Sequence, residues 1–154
     1  MNPKVAAAGT LLVFICLVAA AAAVGATSRP GAWYAALAKP AWTPPSAVFG
    51  PVWTLLYLMI AIAGWLVWRS DQRWPAIGAW GVGLVLNMAW SWLFFGRQLP
   101  GIALIDILAL WCSIVAFLLA TRRSNSPAFW LFVPYLLWVS FATALNLQVW
   151  RLNA

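Results

Sequence analysis

Apolar residues run in five long stretches along this chain, at residues 5–26, 47–68, 74–95, 101–121 and 127–150. Each is about 20 residues or longer, and a helix rising about 1.5 Å per residue needs about 20 to cross a hydrocarbon core of about 30 Å. Asp106 alone puts a charge inside a run. In lipid every backbone amide must find its partner within the protein, which selects helices or a closed barrel. The in–out alternation of a barrel strand is absent. The pattern predicts an all-α integral membrane protein, a five-transmembrane-helix bundle, with residues 1–154 forming one multi-pass membrane domain.

The connections are short, except the first. Links near 69–73, 97–99 and 122–126 make sequential helices antiparallel neighbours. Residues 27–45 instead form a long loop rich in Pro and Trp, and long structured loops often carry function. The first run has two features of a signal peptide, Lys4 before it and Ala19–Ala23 near its end. It is long for such a segment, so it is expected to be retained as a span. No internal repeat is visible.

Composition agrees with this pattern. Hydrophobic residues make up 66% of the chain and charged residues 7%, against about 25% charged in an ordinary soluble domain. Nine cations against two acids give a net charge of +7. Lys4, Arg29, Lys39, Arg69, Arg73, Arg97, Arg122, Arg123 and Arg151 stand singly or in pairs between the apolar runs, where they reach lipid headgroups. No basic stripe lies on a polar helix, which argues against nucleic acid as a partner. Five cations fall on the N-terminal face and four on the other, a slight lean toward an N-terminus inside. The chain has no His, which removes His metal ligands, a His axial ligand for haem and His-based triads. No metal site or cofactor is expected. Cys16 and Cys112 lie within apolar runs and are expected to be buried and inert.

The 13 Trp are the most informative count. Trp33, Trp68, Trp74, Trp130 and Trp150 sit near run ends, as interfacial belt residues do. Others form stripes. Phe49, Trp53 and Tyr57 share one helix face at four-residue spacing. Asn87, Trp90 and Phe94 recur on the third run, and Trp138, Ala142, Leu145 and Asn146 on the fifth. Three such stripes converge either on one cavity or on ordinary helix contacts. Asp106 is either a functional carboxylate or a capping group for a neighbouring backbone. Ala79 and Gly83 form a small-xxx-small pair that suits a close helix contact, here expected between protomers.

The segment Trp33-Tyr34-Ala-Ala-Leu37-Ala-Lys39-Pro40-Ala-Trp42-Thr-Pro44-Pro45 resembles the first-loop signature of the tryptophan-rich sensory protein (TspO/MBR) family, which includes the mitochondrial translocator protein, or peripheral-type benzodiazepine receptor. The likeness continues through Phe49-Gly-Pro51-Val-Trp53-Thr-Leu-Leu-Tyr57, Leu86-Asn87-Met-Ala89-Trp90, Phe94-Phe95-Gly96 and Ala103-Leu104-Ile-Asp106. It ends with Pro134-Tyr135-Leu136-Leu-Trp138 and Phe141-Ala142-Thr143-Ala-Leu145-Asn146, and covers nearly the whole chain in order.

The resemblance implies a five-helix bundle, commonly a homodimer, with a ligand cavity under the first loop. It implies binding of porphyrins, notably protoporphyrin IX, and of isoquinoline or benzodiazepine ligands. By matching positions the cavity would use Trp42, Phe49, Trp53, Tyr57, Asn87, Trp90, Trp138, Ala142 and Leu145. Aromatic faces would stack on a porphyrin disc, and Arg29 or Lys39 would meet its carboxylates. Two other function classes stay open. One is porphyrin degradation in light and oxygen, with Trp53 and Trp138 as catalytic, electron-rich participants. The other is transport of a lipophilic ligand. Two departures from the family pattern carry expectations. Leu147 stands where the sterol-recognition pattern has Tyr, which predicts weak cholesterol binding. Ser91-Trp92 replaces a Pro-containing pair, which predicts a straighter third helix.

Overall fold

A computed structural model describes residues 3–71 and 74–154, with side chains from Ala7 onward. The side chain of Lys4 and the whole of Arg73 lie outside the described residues. Among the described residues six α-helices are present: α1 (Pro3–Thr27), α2 (Ala32–Ala36), α3 (Ser46–Trp68), α4 (Trp74–Ser91), α5 (Pro100–Thr121) and α6 (Ser126–Asn153). A π-helical turn, Trp92–Gly96, continues α4. Five segments are long and apolar enough to cross a membrane: Ala7–Thr27, Ser46–Trp68, Trp74–Gly96, Pro100–Thr121 and Ser126–Asn153. No strand occurs among the described residues.

The five long helices close into a ring in the order α1, α3, α6, α5, α4. The short links do make α4 and α5, and α5 and α6, antiparallel neighbours. They do not do so for α3 and α4, because α1 packs along both of them. These two helices meet chiefly where a glycine lets them. A Cβ on Gly64 would come within 2.7 Å of the Trp80 ring and 2.8 Å of Phe14. The missing side chain thus admits an indole from α4 and a phenyl from α1 against the α3 backbone. Trp80 Nε1 donates to the Ile60 carbonyl at 2.9 Å, so the indole is anchored as well as packed.

The half of the bundle away from the α1–α3 loop is solid. Phe14, Ile60, Val67, Trp80, Ile114, Phe117 and Phe132 are buried there, and Phe117 stacks on Phe132 at 3.7 Å. Polar atoms tie the helix ends. Trp65 Nε1 donates to the Ala7 carbonyl at 3.1 Å, joining α3 to α1. Asn125 caps α6 through Ala128 N–H at 3.2 Å and donates to the Leu66 carbonyl at 3.0 Å. The outer surface is apolar: Leu55, Val82, Ile105 and Leu137 are all exposed, as lipid-facing residues are.

Two expectations need correction. Cys16 and Cys112 are exposed on this outer surface, not buried. In lipid an apolar side chain gains nothing from turning inward. Gly83 does not face another protomer. It is buried against α5, with Ser113 Oγ 2.9 Å from where its Cβ would stand, and Ala79 packs on the same core. The close contact is α4 on α5 within one chain. The third span ends in the π-helical turn. Arg97 N–H reaches the Trp92 carbonyl at 2.7 Å, five residues back, and Gln98 then turns left-handed at φ 57°.

Gly83→Leu is therefore expected to destabilise the protomer by about 1–3 kcal/mol through overpacking. Gly78→Leu, on the same helix but facing open space, is expected to change little. Thermal denaturation in detergent micelles compares the two. Equal melting temperatures would place Gly83 on the outside after all.

Candidate functional site

At the loop end the bundle is hollow. A cavity of about 690 Å³ opens there, enclosed by α1, α3, α4, α6 and the 28–45 loop. The sequence stripes meet in it. Phe49, Trp53 and Tyr57 of α3, Asn87, Trp90 and Phe94 of the third span, and Trp138, Ala142, Leu145 and Asn146 of α6 all line this one space. Pro51 lies inside α3, where it removes the hydrogen bond to the Ala47 carbonyl, yet the helix runs unbroken from Ser46 to Trp68 and this stripe stays helical.

Two asparagines organise the walls. Tyr57 OH donates to Asn87 Oδ1 at 3.0 Å, and Asn87 Nδ2 donates to Tyr135 OH at 3.0 Å. Trp90 Nε1 donates to Asn146 Oδ1 at 2.9 Å, and Asn146 Nδ2 donates to the Pro100 carbonyl at 2.8 Å. These four bonds connect α3, α4, α5 and α6. Both asparagines are almost wholly buried, at 5% and 2% exposure, so leaving either unpaired would be costly. By contrast, the Trp53 and Trp138 indole N–H groups have no acceptor among the described residues. Both rings line the cavity, Trp53 with its centre 5.3 Å from that of Tyr57 and Trp138 5.7 Å from that of Phe49.

The π-turn shapes the upper wall. One extra residue in the turn brings two successive phenyls inward, Phe94 buried and Phe95 half-buried. Phe94 stacks on Trp90 at 5.1 Å. The short helix α2 then seats on this platform. Trp33 lies edge-on to Phe94 at 5.9 Å, and Tyr34 edge-on to Phe95 at 5.4 Å. Burial of the Tyr34 hydroxyl pushes its pKa up from the ordinary 10.0, so it stays a neutral phenol throughout the physiological range. Trp33 is thus a packing residue under the loop and not a belt residue, whereas Trp74 and Trp130 stand outward as belt residues do.

Arg29 and Lys39 both line the cavity from the loop. Arg29 Nε donates to the Ala26 carbonyl at 3.2 Å. Lys39 Nζ donates to the Leu37 carbonyl at 3.0 Å and lies 4.7 Å from the Tyr34 ring centre. Trp42 does not line the cavity. It is 47% exposed and rests edge-on against Phe141 at 5.6 Å, so it covers α6 from outside. Asp106, in the second turn of α5, is part-buried, and its Oδ2 has no hydrogen-bond partner among the described residues. It does not cap a neighbouring backbone through that atom, and it is not part of the cavity wall.

Several lining residues carried no periodic signal. Tyr34 belongs to the loop and Phe95 owes its inward aim to the π-turn. Ala22, Gly25 and Ala26 of α1 form a wall of small side chains. Nothing in an Ala-rich helix distinguishes a cavity wall from a lipid face.

Comparison with known proteins follows the same outline. The model of the TspO/MBR family matches residues 11–151. Tryptophan-rich protein TspO of Chlorobaculum tepidum is 40% identical over 148 residues, 93% of this chain and 94% of its own. Protein CrtK of Rhodobacter capsulatus is 34% identical over 92% of this chain and 91% of its own. Translocator protein of Homo sapiens is 39% identical over 79% of this chain and 75% of its own. With five apolar spans, an aromatic cavity beneath the first loop and a match across nearly all its length, the chain is a multi-pass integral membrane protein of the TspO/MBR family.

Proposed function

We propose that this protein binds a flat aromatic dianion, a porphyrin of the protoporphyrin IX type, in the loop-end cavity, and acts as a membrane receptor in tetrapyrrole or stress regulation. The observation that carries this reading is the pairing of aromatic walls with cations at one mouth. Trp53, Trp90, Trp138, Phe49 and Phe94 offer ring faces, while Arg29 and Lys39 stand on the loop above them. The volume of about 690 Å³ falls within the usual span of small-molecule sites, about 300–1,000 Å³. An aromatic ligand without carboxylates, such as an isoquinoline or benzodiazepine, would use the same walls and forgo the cations.

One feature supports a second reading as an enzyme. Trp53 and Trp138 both border the cavity with free indole N–H groups, so a bound porphyrin would lie against two oxidisable rings. Under illumination the excited porphyrin takes an electron from an indole and passes it to molecular oxygen; the superoxide formed adds to the macrocycle and an electron returns to the indole radical, so that the net change is addition of one O2 to the porphyrin with the indole restored. No acid–base pair is required.

Absorbance titration in the dark followed by timed illumination separates the two readings. Trp53→Phe and Trp138→Phe keep a flat apolar face, so porphyrin affinity is expected to change by no more than about 1 kcal/mol. If the indoles take part in chemistry, these variants bleach the porphyrin spectrum more slowly at equal occupancy. Equal bleaching leaves the protein a binder.

Lys39→Ala and Arg29→Ala are expected to weaken binding of the free dicarboxylate about five- to ten-fold each, a modest loss because both groups are partly solvated. Their affinity for the dimethyl ester should stay within about two-fold of the parent. Parallel titrations with acid and ester give the answer, and equal loss for both forms would place the carboxylates elsewhere.

A further inference from the structure

The 28–45 loop covers the cavity, yet very little holds it there by hydrogen bonding. Among the described residues its hydrogen bonds stay within the loop or reach the ends of α1 and α3 that it joins, with one exception. Asn153, in the last turn of α6 and 115 residues away in sequence, meets Ala38. Ala38 N–H donates to Asn153 Oδ1 at 2.9 Å, and Asn153 Nδ2 donates back to the Ala38 carbonyl at 2.9 Å. The pair closes a ring of two hydrogen bonds, as two strands do. The second Nδ2 hydrogen goes to the Val149 carbonyl at 2.7 Å. Both donors and the acceptor of the amide are engaged, which fixes its orientation.

What this fixes in turn is the next residue. Lys39 follows Ala38 directly and precedes Pro40, which restricts Lys39 to extended backbone. With the Ala38 peptide held, the Lys39 side chain can leave in few directions. Its Nζ donates to the Ala35 carbonyl at 3.2 Å and the Leu37 carbonyl at 3.0 Å. An ammonium has three N–H donors. Two serve the end of α2, and the third is left without an acceptor among the described residues, at the edge of the cavity that Lys39 lines.

We propose that Asn153 is a positioning residue for the ligand site: through the backbone of Ala38 it holds Lys39 at the cavity mouth and thereby sets the preference for an anionic ligand. This rests on the dianion reading above. Because Asn153 grips only main-chain atoms, its contribution comes through the placement of Lys39 and not through a contact with ligand.

The test uses the full chain in detergent micelles and the Asn153→Ala variant. Hydrogen–deuterium exchange of residues 33–42, measured without ligand, is expected to quicken about ten-fold for the loss of two exposed hydrogen bonds. Exchange in the buried parts of α3 and α5 and the melting temperature should stay unchanged, which shows that the bundle is intact. The ratio of affinities for protoporphyrin IX and its dimethyl ester is then measured for the parent, Asn153→Ala, Lys39→Ala and the double variant. Asn153→Ala should lower this ratio nearly as far as Lys39→Ala does, and the double variant should lower it no further. Equal weakening of acid and ester, or independent effects that add, would overturn the proposal, since a loop that merely covers the cavity gives that result. Unchanged exchange in Asn153→Ala would overturn the hold on the loop itself. A parent that binds acid and ester alike would instead overturn the dianion reading, and that is seen before any variant is made.

Discussion

Two asparagine side chains hold four helices around a cavity. In a bilayer, helix association gains little from apolar burial, because lipid tails are as apolar as Leu. Cohesion comes from close packing and from hydrogen bonds between helices, and a cavity forgoes the packing. Asn87 and Asn146 supply the hydrogen bonds where packing is absent, joining Tyr57, Tyr135, Trp90 and the Pro100 carbonyl. Such bonds are each worth about 0.6–2 kcal/mol in a membrane. Their value here lies equally in geometry, since they fix Tyr57 and Trp90, two aromatic side chains that border the cavity.

The molecule is divided accordingly. Away from the loop, glycines bring helices into contact and aromatic rings fill the interior, as at Gly64 with Trp80 and Phe14. Toward the loop the same helices enclose the cavity, and aromatic rings line it without filling it. The α2 segment, seated on the phenyls that the π-turn presents, covers that space, and the loop on either side of it brings Arg29 and Lys39 to the cavity. A rigid half thus supports a half whose cover is joined by few bonds, an arrangement suited to admitting a ligand without loosening the bundle.

Much of this was legible from residue order. The long helices begin and end within about three residues of the apolar runs, because lipid leaves few other ways to satisfy a backbone. The spacing of Phe49, Trp53 and Tyr57 placed one face of α3, and the aromatic and Asn positions did the same for the third span and α6. What stayed hidden had no periodicity to reveal it. Gly83 reads the same whether it meets a neighbouring helix or a second protomer, and only the position of Ser113 decides. Trp42 sits in the loop signature, but a turn at Pro40–Thr43 carries it outward onto Phe141. The π-turn at Trp92–Gly96 arises where no proline marks a break, so Phe95 turns inward without warning. The Asn153–Ala38 contact joins a side chain to a main chain across 115 residues, and main-chain partners leave no trace in residue identity.

The central claim is that the loop-end cavity is where a flat aromatic ligand sits. A protoporphyrin IX derivative carrying a photoreactive group, cross-linked to the protein in membranes and mapped by peptide mass spectrometry, tests it most directly. Labelling confined to cavity-lining segments, around Phe49–Tyr57, Asn87–Phe95 and Trp138–Leu145, and suppressed by excess unmodified protoporphyrin, is the predicted result. Labelling spread over the lipid-facing residues Trp74, Trp130 and Leu137, with no suppression by competitor, would contradict it.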